Sequence, residues 1–214
     1  MHLSAHNWMR PEPLEHSLQR LRQLGYTSIE LAGEPAWYPV DETRALLQKY
    51  NIRCWGTVTI QYGTRDLTSA DAGERRATVQ YMKDVVALSA ALGGEITTVV
   101  PGRVGKTVAT AGAEEEWGRV VESLREVAAF AQDQKIRIGI EPLNRFETHF
   151  LNRVDQALLL ADEVGFGAAQ LETKPVDVPA GQLQFIVDHG SAVLSDEYYT
   201  QLLKTSAETM RRYI

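Results

Sequence analysis

Short β-rich apolar runs alternate with amphipathic helical stretches along this chain. That alternation restricts the available folds more than any other feature. The runs cover residues 2–5, 28–32, 52–60, 96–100 and 136–141. Leu14, Leu18 and Leu21 share one helix face, and Gly25 follows as a C-cap. Asp41 is placed to cap a helix carrying Leu46, Leu47 and Tyr50. Residues 74–92 put Val79, Met82 and Val86 on one stripe that stops at Gly93-Gly94, and Trp117, Val120, Val121, Leu124 and Val127 repeat the pattern. Asn152 opens a further helix with Val154, Leu158 and Ala161, ending at Gly165. Five strand-helix units in series predict a parallel sheet with helical crossovers. The eight-fold barrel and the doubly wound open sheet both satisfy that pattern.

In either closure a site forms beyond the C-terminal ends of the strands. The residues at those ends are polar: His6-Asn7, Glu34, Gln61, Arg103 and Glu141. Ordinary loop polarity accounts for any one of them. Glu141 is harder to dismiss, because it directly ends the apolar run Ile136-Arg137-Ile138-Gly139-Ile140. A carboxylate in that place must be hydrogen-bonded, paired or metal-bound. Asn144, Arg145, Glu147 and His149 lie within eight residues after it.

Other chemistries find less support. The net charge of −6 disfavours a nucleic-acid partner. Cys54 is the single cysteine, so a disulfide framework and a thiolate zinc site are both excluded, and a reducing, cytoplasmic setting is expected. No signal peptide is visible, and no apolar run approaches the ~20 residues of a membrane span. The stretch from Pro101 to Thr107 ends in Gly-Lys-Thr, but a phosphate loop needs a glycine where Val100 stands. It reads as a strand-to-helix loop. No G-x-G-x-x-G comes after the first run, and no nucleophile elbow is present. The five histidines are scattered, and no pair has the i, i+4 arrangement of a helical metal site, since His2 and His6 fall in and directly after the first β-rich run; His16 lies on the first helix, while His149 sits near Glu147 and Glu141.

The segment Glu141-Pro142-Leu143-Asn144-Arg145-Phe146-Glu147, with Asn152-Arg153-Val154-Asp155-Gln156-Ala157 after it, resembles the fifth strand-loop of the sugar isomerase/epimerase family. That family has the xylose-isomerase-like TIM barrel, and the resemblance is nearest to its ketose 3-epimerases acting on tagatose and psicose. The earlier units fit in order and length, so the likeness runs over residues 1–165. It implies that Glu141 ligates a divalent metal and transfers a proton, and that Glu147 contacts substrate hydroxyls. His6 and Glu34, at the ends of the first two strands, are further substrate-ligand candidates. In the chemistry implied, a ketose loses the proton at C3, and a metal on the neighbouring oxygens stabilises the enediolate. Oxygen-rich coordination favours Mn²⁺, with Co²⁺ or Mg²⁺ as alternatives.

The family's ligand set is Glu on strand five, Asp on strand six, His on strand seven and Glu on strand eight. After Gly165 the chain departs from it. The run from Phe166 to Glu172 leads straight to Thr173-Lys174-Pro175, and the remainder resembles the family's segment beyond strand eight. Strands six to eight are therefore expected to be absent from the sequence, against the ~250 residues of an ordinary barrel. Gln170-Leu171-Glu172 offers Glu172 as the one candidate for a missing metal carboxylate. Asp188 and His189 read as turn residues, and Ser195 as the cap of a last helix.

The expectation is one α/β domain over 1–214, an incomplete TIM barrel with five βα units in 1–165 and a C-terminal segment in 166–214. The expected function is metal-dependent isomerisation or epimerisation of an unphosphorylated ketose. The small-molecule partner is a sugar or cyclitol, with no nucleic acid or membrane, and the exposed sheet edge of a partial barrel predicts a homo-oligomer. The rivals are an inosose-type cyclitol dehydratase or isomerase, a catalytically silent remnant and, disfavoured by charge, an apurinic-site endonuclease.

Overall fold

The alternation in the second run sets the architecture. In β2 (Ser28–Ala32), Ile29 and Leu31 are fully buried against Leu18 and Leu21 of α1 (Leu14–Gln23) and Leu47 of α2 (Val40–Tyr50). Period-two geometry then turns Glu30 to the opposite face. A computed structural model describes residues 4–10 and 12–165. The other strands are β1 (Ser4–His6), β3 (Arg53–Val58), β4 (Ile96–Val99) and β5 (Arg137–Ile140). The other helices are α3 (Ala72–Ala91), α4 (Ala113–Asp133) and α5 (Val154–Val164). A 3₁₀ turn, Pro35–Trp37, precedes α2.

All pairings are parallel, and the spatial order is β1-β2-β3-β4-β5. Among the described residues this is the first five-unit arc of a TIM barrel. Helices cover its outer face through two apolar clusters. One joins Leu18, Ile29, Leu31 and Leu47; the other joins Met82, Val86, Val99, Leu124 and Leu160. The inner face is lined differently. A register shift between Ile29 and Glu30 makes Trp55 the extra residue of a bulge in β3, after which Gly56 lies opposite both Glu30 and Ile96. A Cβ on Gly56 would stand 2.5 Å from the Ile96 carbonyl oxygen, so only glycine fits there.

The structure corrects several local readings. Asp41 does not cap α2: the helix starts at Val40 after Pro39, leaving Asp41 in the first turn 3.6 Å from Arg44. A carboxylate there still favours the helix through the macrodipole. The capping aspartate is Asp71 at α3, whose Oδ1 accepts from Gly73 N (2.6 Å) and Glu74 N (3.3 Å). Asn152 does not cap α5 either; Arg153 holds that position, and the Asn152 side chain donates to the carbonyls of Leu143 and Thr148, both at 2.9 Å. The buried face of α5 is Ala157, Leu160 and Val164 rather than one centred on Val154 and Leu158. Gly25 has φ +81° one residue past the α1 cap, where Tyr26 N bonds Leu21 O. Residues 166–214, with Glu172, Asp188, His189 and Ser195, lie outside the described residues.

Candidate active site

β5 delivers Glu141 to the C-terminal rim. Ile138 and Ile140 pack on the α4–α5 side, so Gly139 and Glu141 face inward. The Glu141 amide donates to Val99 O at 2.9 Å, which continues the sheet to the point where Pro142 ends it. Among the described residues nothing donates a hydrogen bond to the Glu141 carboxylate. Burial, and then the negative charges of Glu30 and Glu147, push it up to about 7 from an ordinary 4.5.

Glu30 is the residue sequence reasoning missed. It projects onto the same inner face and accepts a hydrogen bond from Thr98 Oγ1 at 2.9 Å, reaching over Gly56 between them. Burial raises its carboxyl, against the lowering effect of that bond. A polar residue between Ile29 and Leu31 was the available signal, because an inward-facing site tolerates what a doubly covered strand does not. His6 pairs in register with Glu30 and sets its ring edge on Trp8, centroids 5.1 Å apart. Asn7 anchors the rim: its Oδ1 accepts from Ala32 N and its Nδ2 donates to Tyr38 Oη, both at 2.9 Å.

Two candidate substrate ligands have protein partners. Glu34 is held bidentately by Arg65, at 2.5 and 2.9 Å, and that guanidinium lies 3.7 Å over the Tyr81 ring. Glu147 is exposed, with its carboxylate taking the Asn144 side-chain amide and its amide donating to Asn144 O at 3.0 Å. Arg145 stacks on Phe146 at 5.2 Å. Of the remaining strand-end residues, Arg103 donates to Gly63 O, and Gln61 is buried with both side-chain amide atoms unpaired among the described residues.

Lys106, from the Gly-Lys-Thr stretch, is buried and cannot reach a phosphate. Its Nζ lies 2.7 Å from Thr68 Oγ1, 3.0 Å from Asp66 Oδ2 and 3.6 Å from Glu116 Oε1. This agrees with reading residues 101–107 as a loop. Glu116 in turn meets His149 Nε2 at 2.5 Å. None of these pairings is readable from local spacing.

Among the described residues, no cluster of three or more His, Cys, Asp or Glu side chains could hold a metal ion. Glu141 offers one unengaged carboxylate of the right chemistry, and Glu30 a second that already accepts from Thr98. That is short of the set a divalent cation needs.

Comparison with known proteins gives the class. The xylose isomerase-like TIM barrel profile matches residues 18–171, and the chain belongs to that family. It is 32% identical over 142 residues to an L-ribulose 3-epimerase of Methylomonas sp. (strain DH-1), covering 65% of this chain and 49% of that protein. It is 29% identical over 156 residues to a D-psicose 3-epimerase of Agrobacterium fabrum, covering 69% and 53%. The chain thus spans about half the length of these relatives. A crystal structure of D-allulose 3-epimerase from Methylomonas sp. superposes with TM-score 0.68 at 24% identity, over 77% of this chain and 59% of that one, a likeness of fold. No helix among the described residues is long and apolar enough to cross a membrane.

Proposed function

We propose that this protein is a ketose 3-epimerase, an isomerase that inverts C3 of an unphosphorylated ketose by proton transfer, with Glu141 as the proton-transfer group. The observation that carries the reading is the Glu141 carboxylate itself. It is inward-facing and half-buried, without a described hydrogen-bond donor, and burial and neighbouring carboxylates raise it to about 7. A group titrating near neutrality can take a proton and return it. Likeness to curated L-ribulose and D-psicose 3-epimerases supports the same reaction class.

Each residue then has a role. Glu141 exchanges the C3 proton on one face of the sugar, and inversion requires a second acid-base group on the opposite face, which the described residues do not assign. Glu147 accepts from sugar hydroxyls at the rim, and His6, beside Glu30 on the inner face, contributes a further polar contact. Glu34 would act only together with Arg65, which already holds it. Exposed Trp8, Trp37, Tyr62 and Phe146 stand on four of the βα loops and supply aromatic surface of the kind that lines small-molecule sites. The charge of −6 and the buried Lys106 both favour a substrate without phosphate. We assign Mn²⁺, or Co²⁺ or Mg²⁺, as cofactor, with Glu141 as one ligand. The described residues do not complete its coordination, and Glu172 lies outside them. The buried free thiol of Cys54 fits a cytoplasmic location, and the free edges that β1 and β5 show among the described residues fit self-association.

The test is exchange in deuterated water. The protein with Mn²⁺ is incubated with D-psicose, D-tagatose or L-ribulose, and loss of the C3 proton is monitored by NMR. Exchange with formation of the epimer is expected, falling about 10²- to 10⁴-fold in Glu141→Gln. Absence of C3 exchange in all three ketoses, or equal exchange by variant and parent, overturns the assignment.

A further inference from the structure

We propose that His149 is a positioning residue for Glu147, and that it holds the β5–α5 loop only while a proton is shared between its ring and Glu116. The proposal deepens the reading of Glu147 as a substrate ligand and rests on that reading for its consequence in binding.

Two backbone bonds fasten this loop to the one after β4. Gly105 N donates to Glu147 O at 2.7 Å, and His149 N donates to Lys106 O at 2.9 Å. They flank Thr148 and anchor the Glu147 carbonyl, so the backbone that carries the Glu147 side chain is fixed on its C-terminal side. The His149 ring adds two contacts. Its Nδ1 lies 2.9 Å from the same Lys106 carbonyl oxygen, and its Nε2 lies 2.5 Å from Glu116 Oε2.

The hydrogen-bond inventory counts the protons. A carbonyl oxygen only accepts, so Nδ1 must carry hydrogen. An ionised carboxylate also only accepts, so Nε2 must carry hydrogen too, unless Glu116 itself is protonated. Either way the pair contains one proton more than a neutral imidazole facing a carboxylate. Burial pushes the Glu116 carboxyl up. Hydrogen bonds from His149 and the Thr110 amide, and the charges of His149 and Lys106, outweigh that and hold it below the usual range. The proton therefore resides on the ring.

The surroundings reinforce this count. Glu116 comes from α4, Lys106 from the loop after β4, Asp66 from the loop after β3, and Glu147 from the loop of His149 itself. Phe150 packs at 6.4 Å between ring centroids. With His149 charged, the quartet Lys106, His149, Asp66 and Glu116 is neutral. Without that proton, a buried excess negative charge remains and a ring lone pair faces a carboxylate at contact distance. Such an arrangement is expelled from a low-dielectric site.

Glu116→Gln separates a proton-dependent latch from mere packing. The amide oxygen can keep the bond from Thr110 N, and the amide nitrogen can donate to Nε2 of a neutral ring. The latch then needs no proton and the quartet stays neutral. Native-state hydrogen exchange at the Gly105 and His149 amides, corrected for intrinsic rates, reads the two fastening bonds. In the parent, protection is expected to fall about tenfold or more from mildly acidic to alkaline pH, the scale of one charged hydrogen bond. In Glu116→Gln it should stay flat over the same range. A flat profile in the parent, or an undiminished pH dependence in the variant, overturns the proposal. Should the variant fail to fold, ¹⁵N NMR of the parent decides: both His149 ring nitrogens must carry hydrogen at neutral pH, and a neutral ring refutes it. These measurements use no sugar. An enzyme inactive on ketoses but with a pH-dependent latch would sink the epimerase reading alone, and an active enzyme with a flat latch would sink this one alone.

Discussion

Replacing Glu141 by glutamine should make the protein more stable while slowing the proposed C3 proton exchange. The carboxyl is moved from 4.5 in an open chain to about 7 in the fold, first by burial and then by Glu30 and Glu147. The folded state therefore binds this proton more tightly than the unfolded state does. The stability this gives is fully present below pH ~4.5 and is lost as pH rises through about 7. At about 1.4 kcal/mol per pH unit, the ionised group costs the fold ~3 kcal/mol at pH ~8. Glutamine mimics the protonated form at every pH. With metal removed by a chelator, Glu141→Gln and the parent should unfold at the same urea concentration near pH ~4, and the variant should be ~3 kcal/mol more stable near pH ~8. For a chain of this size that is a gain of about 6–12 °C in Tm. A variant no more stable than the parent at alkaline pH would refute the reasoning. A variant less stable at every pH would show instead that the carboxylate caps backbone amides.

Two further substitutions probe the scaffold. Lys106→Met leaves Asp66 buried without its cation and Glu116 with His149 alone, and should cost ~3–5 kcal/mol, read as a lower urea midpoint at unchanged slope; a loss below ~1 kcal/mol would show that water replaces the ammonium. Gly56→Ala drives a methyl against the Ile96 carbonyl and side chain, at 2.5 and 2.7 Å. It should cost at least ~1–3 kcal/mol, measured the same way, and a neutral result would mean that β3 and β4 separate there without strain.

Among the described residues, sequence periodicity located the five strands and the five α-helices, most of which bury a face of their own. Ile29 and Leu31, or Val120, Leu124 and Val127, announce their elements within one or two turns. Glu141 was legible for a related reason: a carboxylate that ends an apolar strand has few places to go. Caps were read less well. Pro39 and Arg153 bring no side-chain signal of the usual kind to the cap position, so the nearby Asp41 and Asn152 drew the assignment. Glu30 was passed over because a single polar residue inside a strand looks like an ordinary outward face until closure turns that face inward. The Lys106, Asp66, Glu116 and His149 group was illegible, since it joins three loops and a helix separated by up to 83 residues, and only the tertiary fold sets which cation meets which carboxylate.

Strand order and chain order coincide in this sheet. Among the described strands, each new one therefore docks on the one made just before it, and none waits for a distant partner. The loops closed at each step are a few tens of residues long, and closure entropy grows only slowly over such lengths. Contact order stays low for a parallel sheet, a topology in which long-range pairing otherwise slows folding. A chain emerging from the ribosome can add βα units one at a time, each burying its predecessor's exposed edge as it forms.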